Sequence, residues 1–318
     1  MSADHRVVAL GGGHGLAASL SALRRVVDDL TAVVTVADDG GSSGRLRREF
    51  GVLPPGDLRQ ALAALCGEDE WGSTWAEVLQ HRFASSGDLH NHAVGNLLIV
   101  ALWELLGEHV AGLDWVARLL GAHGRVLPMT SVSLDIAARV AGLRADDPEG
   151  VDVVRGQYDV ATTPGRVVDV ALDPSDPPAC TEAVAAVKAA THVVLGPGSW
   201  FTSVIPHLLV PGLADALCDT DAVRVVTMNL AAQPGETAGL TPDAHLDVLA
   251  AHAPRLRLDV VLADAGTVPD HHHQAALRDA AKRLGADLVV ADVALGDGTA
   301  RHDPERLAAA YSDILDRG

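Results

Sequence analysis

Short, fully apolar runs alternate along this chain with longer stretches in which apolar residues recur three and four positions apart. Residues 6–10, RVVAL, are stopped by glycines. Residues 16–27 then carry apolar side chains at helical spacing, and residues 31–37 return to β-branched and small apolar types. The order predicted is strand, glycine turn, helix, strand. The same order recurs at 192–195 running into GPGS, at 223–229 running into AAQPGET, at 258–263 ending on Asp264, and at 288–293 after a helical stretch. A strand that is apolar at every position has both faces buried, so these runs predict a Rossmann-like α/β fold: a mainly parallel sheet with helices on both faces.

The pattern changes between about residues 57 and 165. Residues 57–122 read mostly as helix, and SLDIAARVAGL followed by VDVVRGQYDV alternates as an antiparallel pair does, with RADDPEG supplying turn residues between them. The whole of 1–318 is therefore expected to be one domain that carries a helical and antiparallel insertion or lobe. Within WGSTWAEVLQHRF, Trp71, Trp75, Val78 and Leu79 fall at helical spacing and predict a packing face. DPSDPPA at 173–179 is a short connector. In RHDPERLAAAYSDIL, Asp303 is expected to cap a last helix with Pro304 at its first position.

Composition removes several classes of function. The chain has 318 residues, 48% hydrophobic and 21% charged, which suits a folded globular protein. Its net charge of −18 repels nucleic acid and anionic membranes, so a bound phosphate must be held by local donors. Cys66, Cys180 and Cys218 form neither a CxxC pair nor a disulfide framework, which fits a reducing, cytoplasmic location. MSADHRVVALGGG contains no signal-peptide core. Residues 97–106, the most apolar stretch, are too short to span a bilayer and include Glu104. No nucleic-acid partner and no membrane insertion are expected; a homo-oligomer stays open.

The polar residues gather where the apolar runs stop. In LGGGHGLAAS, Gly13-His14-Gly15 opens a helix directly after a strand and fits G-x-G-x-x-A, a turn that lets backbone N–H groups approach a phosphate. Asp38 lies about 20 residues further on, where a dinucleotide fold places a ribose-binding acid. ADDGGSSGRLR brings Asp38 and Asp39 to the carboxyl edge of the sheet, with Ser42 and Ser43 as hydroxyl donors and Arg45 and Arg47 as phosphate partners. Asp57, in LPPGDLRQAL, reads either as a simple helix cap or as a metal or ligand group. Gly196 and Gly198 repeat the strand-to-helix glycine device ahead of Ser199, Thr202 and Ser203. Asn229 ends the next strand, and Gln233, Gly235, Glu236 and Thr237 follow in its loop. His90 and His92 have a metal-compatible spacing without an obvious third ligand, and His271 to His273 read as a surface loop.

Taken in order, ALGGGHGL, VTVADDGGSSGRLR, LPPGDLRQALAAL, HAVGNLLIVAL, VLGPGSWFTSVIPHLLV, NLAAQPGETAGL and RHDPERLA closely resemble the YvcK family of gluconeogenesis factors, part of the CofD-like superfamily. The resemblance implies a Rossmann-like protein that binds UDP-N-acetylglucosamine and supports cell-wall morphogenesis and gluconeogenic growth, with no established catalytic reaction. The ligand-facing positions it implies are Gly12, Gly13, Gly15, Asp38, Asp39, Ser42, Ser43, Gly198, Ser199, Asn229, Gln233 and Arg301. His14 stands where the family usually has threonine. The related CofD branch implies an alternative, a transferase that joins a phospholactyl-type group to a deazaflavin with Mg²⁺ held by acids resembling Asp39 and Asp57. A dinucleotide (NAD) protein using Gly13, Gly15 and Asp38 is the third reading.

Overall fold

The computed structural model describes residues 5–317 apart from 148, 234 and 238. Seven strands form one wholly parallel sheet: β1 (Arg6–Gly11), β2 (Asp29–Val34), β3 (Arg125–Pro128), β7 (His192–Leu195), β8 (Val223–Thr227), β9 (Val260–Asp264) and β10 (Asp287–Ala291). Three more, β4 (Asp135–Ala141), β5 (Val151–Arg155) and β6 (Arg166–Asp173), form a separate antiparallel sheet with β4 in the middle. All four residues of β7 and five of the six in β1 are buried, as two covered faces require.

Strand order in the large sheet is β10-β9-β8-β7-β1-β2-β3. The chain winds outward from β1 through β2 to β3, then returns to the other side of β1 and winds the opposite way through β7. Loops leaving the carboxyl ends of β1 and β7 therefore part from each other, and the crevice between them is the topological switch point where open α/β sheets bind ligands.

The insertion is arranged differently from the sequence pattern. Within 57–165, β3 joins the large sheet as its edge strand beside β2, and β6 completes the small sheet from beyond residue 165. The expected antiparallel pair is present as β4 and β5, with Ala137 opposite Arg155 and Ala141 opposite Val151. The last residues of VDVVRGQYDV leave the strand and form the short helix Gln157–Ala161.

Other boundaries moved for local reasons. The strand expected over 31–37 covers Asp29–Val34: the Thr35 N–H makes the last bond of the β1–β2 ladder, to the Gly11 carbonyl (2.9 Å), and its hydroxyl turns aside to the Ser203 carbonyl (2.9 Å). His271 to His273 are not loop: they open the Gly-free helix His271–Arg283, whose cap Asp270 accepts from the His272 and His273 N–H groups. In the Glu70–Gln80 helix Leu79 is fully buried while Trp71 is 54% exposed, so the packing face is narrower than the four-residue stripe. Asp303 caps Pro304–Leu315, accepting from Glu305 and Arg306. No single helix among the described residues is long and apolar enough to cross a membrane.

Candidate functional site

Two glycine loops meet at the switch point. The Gly13–Leu23 helix begins immediately after β1, with Gly12 as its cap and Gly13 at φ +56°, the left-handed region that favours glycine. Gly15 has a different reason to be glycine: a Cβ there would overlap the Pro197 carbonyl oxygen and lie 2.6 Å from the carbonyl carbon. The second loop is locked from the other side, since the Asn229 side chain accepts from the Gly198 N–H and donates to the Gly198 carbonyl, both at 2.8 Å. Asn229 lies just past β8, so β1, β7 and β8 together set the position of one short backbone segment.

Between these loops and the approach to the last helix lies a cleft of about 610 Å³. His14, Gly15, Gly198, Asn229, Gln233 and Arg301 all line it. Arg301 is 70% exposed and, among the described residues, its one ion pair is with Asp297 at 3.7 Å, which leaves most of its donors available to an anion. His302, which the sequence reading missed, lines the same cleft. Its Nε2 and the Gln233 Oε1 are buried without a hydrogen-bond partner among the described residues, and burial lowers the pKa of the His302 ring. A signal was available: His302 directly follows Arg301 before the Asp303 cap.

The ADDGGSSGRLR residues are drawn apart from this cleft. Asp38 and Asp39 diverge. Asp38 accepts from the Gly40 N–H at 2.9 Å and lies against Gly56, whose added Cβ would meet its Oδ2 at 2.8 Å. Asp39 accepts from the Tyr158 N–H at 3.0 Å, at the start of the Gln157–Ala161 helix. Ser42 hydrogen-bonds His92 Nδ1 and accepts from Asn96 Nδ2, both at 3.0 Å. Ser43 is buried and accepts from the same Asn96 nitrogen at 3.4 Å. Arg45 donates to the Asp88 and His90 carbonyls, and Arg47 pairs with Asp135 at 2.8 Å. These hydroxyls and arginines therefore tie the Gly41–Phe50 helix to its neighbours. His90 accepts from the Ser85 N–H, and no group of three or more His, Cys, Asp or Glu with metal-binding geometry occurs among the described residues.

Asp57 does not cap its own helix. Pro55 precedes Gly56–Ala64 without a side-chain cap, and the Asp57 carboxylate instead reaches Gly12 and Gly13: a Cβ on Gly12 would lie 2.6 Å from its Oδ2, and the Gly13 backbone hydrogen-bonds it. Burial pushes this carboxyl up to about 7, and the Asp38 charge pushes the same way. A carboxylate pair that raises a pKa is one a cation would relieve. Asp38 with Asp57 thus fits a divalent ion better than Asp39 with Asp57, because Asp39 is engaged at the start of another helix.

The Ser199 region is also satisfied internally. Glu236 is buried and accepts from the Phe201 N–H (2.6 Å), the Thr202 N–H (2.9 Å) and the Ser199 hydroxyl (2.5 Å). Ser199 and Thr202 hydroxyls also bond each other. A carboxylate of the chain itself therefore takes the N–H groups that sequence spacing offers to a ligand phosphate. Burial raises the Glu236 pKa while these hydrogen bonds oppose the rise. Glu236→Ala removes at once the acceptor of two backbone N–H groups and of the Ser199 hydroxyl. Unfolding in urea should show a loss of about 1–3 kcal/mol, and limited proteolysis should cut faster within 230–240; unchanged stability would mean that the latch carries no weight.

The fold and this geometry define an α/β protein with an open cleft at its topological switch point. A match to the family described as 2-phospho-L-lactate transferase CofD runs over residues 7–296. The chain belongs to the CofD family. It is 55% identical over 311 residues to a Mycobacterium tuberculosis protein named "Putative gluconeogenesis factor", covering 98% of this chain and 90% of that one. It is 31% identical over 326 residues to the Bacillus subtilis "Gluconeogenesis factor", covering 99% of each. A solved structure of a UPF0052 family member from Bacillus halodurans superposes with a TM-score of 0.83 at 32% identity, covering 96% of this chain and 98% of that one.

Proposed function

We propose that the switch-point cleft binds a nucleoside diphosphate sugar of the UDP-N-acetylglucosamine type, and that the protein acts as a ligand-binding regulator in gluconeogenic growth and cell-wall morphogenesis rather than as a catalyst. The observation that carries this reading is the pairing, in one cleft of about 610 Å³, of a free guanidinium with two orphaned acceptors, Arg301 with His302 Nε2 and Gln233 Oε1. A guanidinium calls for phosphate; unpaired buried acceptors call for hydroxyl or N–H donors. A sugar joined to a diphosphate brings both. A free inorganic phosphate brings too few donors, and NAD would need Asp38, whose carboxylate lies outside the cleft lining and against Gly56.

Titration calorimetry with UDP-N-acetylglucosamine tests the reading. Saturable binding is expected, weakened about tenfold by Arg301→Ala through loss of a charge-assisted contact. No binding by the parent chain, or equal affinity in the variant, would reject it.

One observation favours a second reading, the Mg²⁺-dependent transferase. The buried Asp57 carboxylate, beside the Gly12–Gly13 turn, is repelled by the charge of the half-buried Asp38. Mg²⁺ held by these two residues would neutralise diphosphate oxygens during transfer of a phospholactyl-type group. That reading requires turnover with a nucleotide-activated phospholactate and a deazaflavin, lost in Asp57→Asn; absence of product with the parent chain counts against it.

A further inference from the structure

A second, smaller cavity of about 160 Å³ adjoins the cleft, and the two share the wall from Asn229 to Ala232. Met228, Leu230, Leu240 and Pro242 supply apolar surface, with Thr267 at the rim and His245 as the one imidazole. The Thr267 hydroxyl is already used, donating to the Asp264 carbonyl at 2.8 Å.

His245 is 4% exposed, and its orientation is fixed on three sides. Its Nδ1 lies 2.8 Å from the Thr241 carbonyl, one turn back in the Pro242–His252 helix; its carbonyl accepts from Trp200 Nε1 at 3.0 Å; and its ring stands edge-on to Trp200 at 5.4 Å between centroids. A carbonyl oxygen only accepts, so Nδ1 carries the proton and Nε2 presents a lone pair. Burial lowers the ring's pKa and keeps it in this neutral form. That Nε2 has no hydrogen-bond partner among the described residues. A buried acceptor left unpaired is costly, and the cavity that His245 lines is where a partner would enter.

We propose that this cavity is the base slot of the nucleotide ligand, and that His245 Nε2 accepts the ring N–H of a uracil. The inference rests on the nucleotide-sugar reading and adds to it the placement of the base and the residue that selects it. The Met228, Leu230, Leu240 and Pro242 side chains suit the faces of a flat heterocycle and the polar part of the lining suits its edge, while Arg301, His302 and Gln233 in the larger cleft suit the diphosphate and sugar. The shared wall at Asn229 to Ala232 lets one ligand occupy both. Selection follows from donor and acceptor chemistry. Uracil presents N3–H; cytosine presents a bare N3, which would set two lone pairs against each other. His245 is then a specificity residue, with its proton position set by Thr241.

The test compares UDP, N3-methyl-UDP and CDP by titration calorimetry on the full chain, after saturable binding of UDP-N-acetylglucosamine has been measured. The parent chain should bind UDP at least about tenfold more tightly than either analogue, the scale of one unpaired buried acceptor. His245→Asn keeps a donor for Thr241 and removes the acceptor, so it should bring UDP and N3-methyl-UDP within about twofold of each other. His245→Gln, whose amide oxygen reaches the Nε2 position, should restore part of the preference, which a purely structural role for His245 would not do. Equal binding of UDP and N3-methyl-UDP by the parent chain, or a preference that survives in His245→Asn, overturns the base slot while leaving the nucleotide-sugar reading standing. Failure of UDP-N-acetylglucosamine itself to bind overturns both.

Discussion

Gly15→Ala is expected to cost about 3 kcal/mol or more of stability and, on the proposed function, to abolish nucleotide-sugar binding, although it adds a single methyl group. Overpacking usually costs about 1–3 kcal/mol because side chains shift to make room. Here the obstruction is backbone: the new Cβ would overlap the Pro197 carbonyl and approach Gly198 Cα. Gly198 cannot retreat without breaking its paired hydrogen bonds to Asn229. The strain therefore falls on the junction of β1, β7 and β8, which is also the wall of the cleft. Gly13→Ala is the control. Its Cβ would meet nothing closer than Asp57 Oδ1 at 3.9 Å, so its cost should be only the left-handed backbone penalty of about 1–2 kcal/mol. Urea unfolding of the two variants, with calorimetry of the Gly15 variant, separates them; a Gly15→Ala protein as stable as Gly13→Ala would show that the two loops are not interlocked.

That contrast marks what periodicity and composition reveal. Apolar runs and glycines locate β1, β7, β8 and both glycine loops because burial on two faces and tight turns leave local traces. They cannot distinguish a glycine that bends the chain from one that admits another backbone, since Gly15 and Pro197 are far apart in sequence. The same gap explains the polar residues. Asp38 and Asp39 are neighbours, yet outside a helix neighbouring side chains diverge, and their partners, at Gly56 and Tyr158, belong to different elements.

Long-range partners also decide which donors stay free. Ser42, Ser43 and Arg45 have the chemistry of a phosphate site but are consumed by His92, Asn96 and the carbonyls of Asp88 and His90. Ser199 and Thr202 are consumed by Glu236, and nothing in QPGET says that its acid turns inward. Gln233 and Arg301 remain at the cleft, joined by His302, while Asn229 lines it with its amide engaged by Gly198. β3 escaped because a four-residue strand at a sheet edge leaves too short a pattern to distinguish from the helices before it.

Asp57 yields the second large effect, in the pH dependence of stability. Its carboxyl titrates at about 7 in the folded protein against an ordinary value of 3.8, so between those limits the folded state holds a proton that the unfolded chain has released. Stability must then fall as the pH rises from about 4 to 7 and level off above the folded value. At 1.36 kcal/mol per pH unit the ceiling on this loss is about 4 kcal/mol. Asp57→Asn imitates the protonated acid: its amide oxygen still accepts from Gly13 and no charge is buried beside Asp38. The variant should match the parent near pH 4, show a flatter profile, and exceed it at pH 8 by up to about 4 kcal/mol. An Asn variant less stable than the parent at pH 8 would contradict the buried charge. Adding Mg²⁺ at pH 8 then divides the two functional readings. An ion on Asp38 and Asp57 removes their repulsion, stabilising the parent chain and leaving Asp57→Asn unchanged; equal melting with and without the ion leaves this carboxylate pair as a cost of folding that only a ligand's own donors can offset.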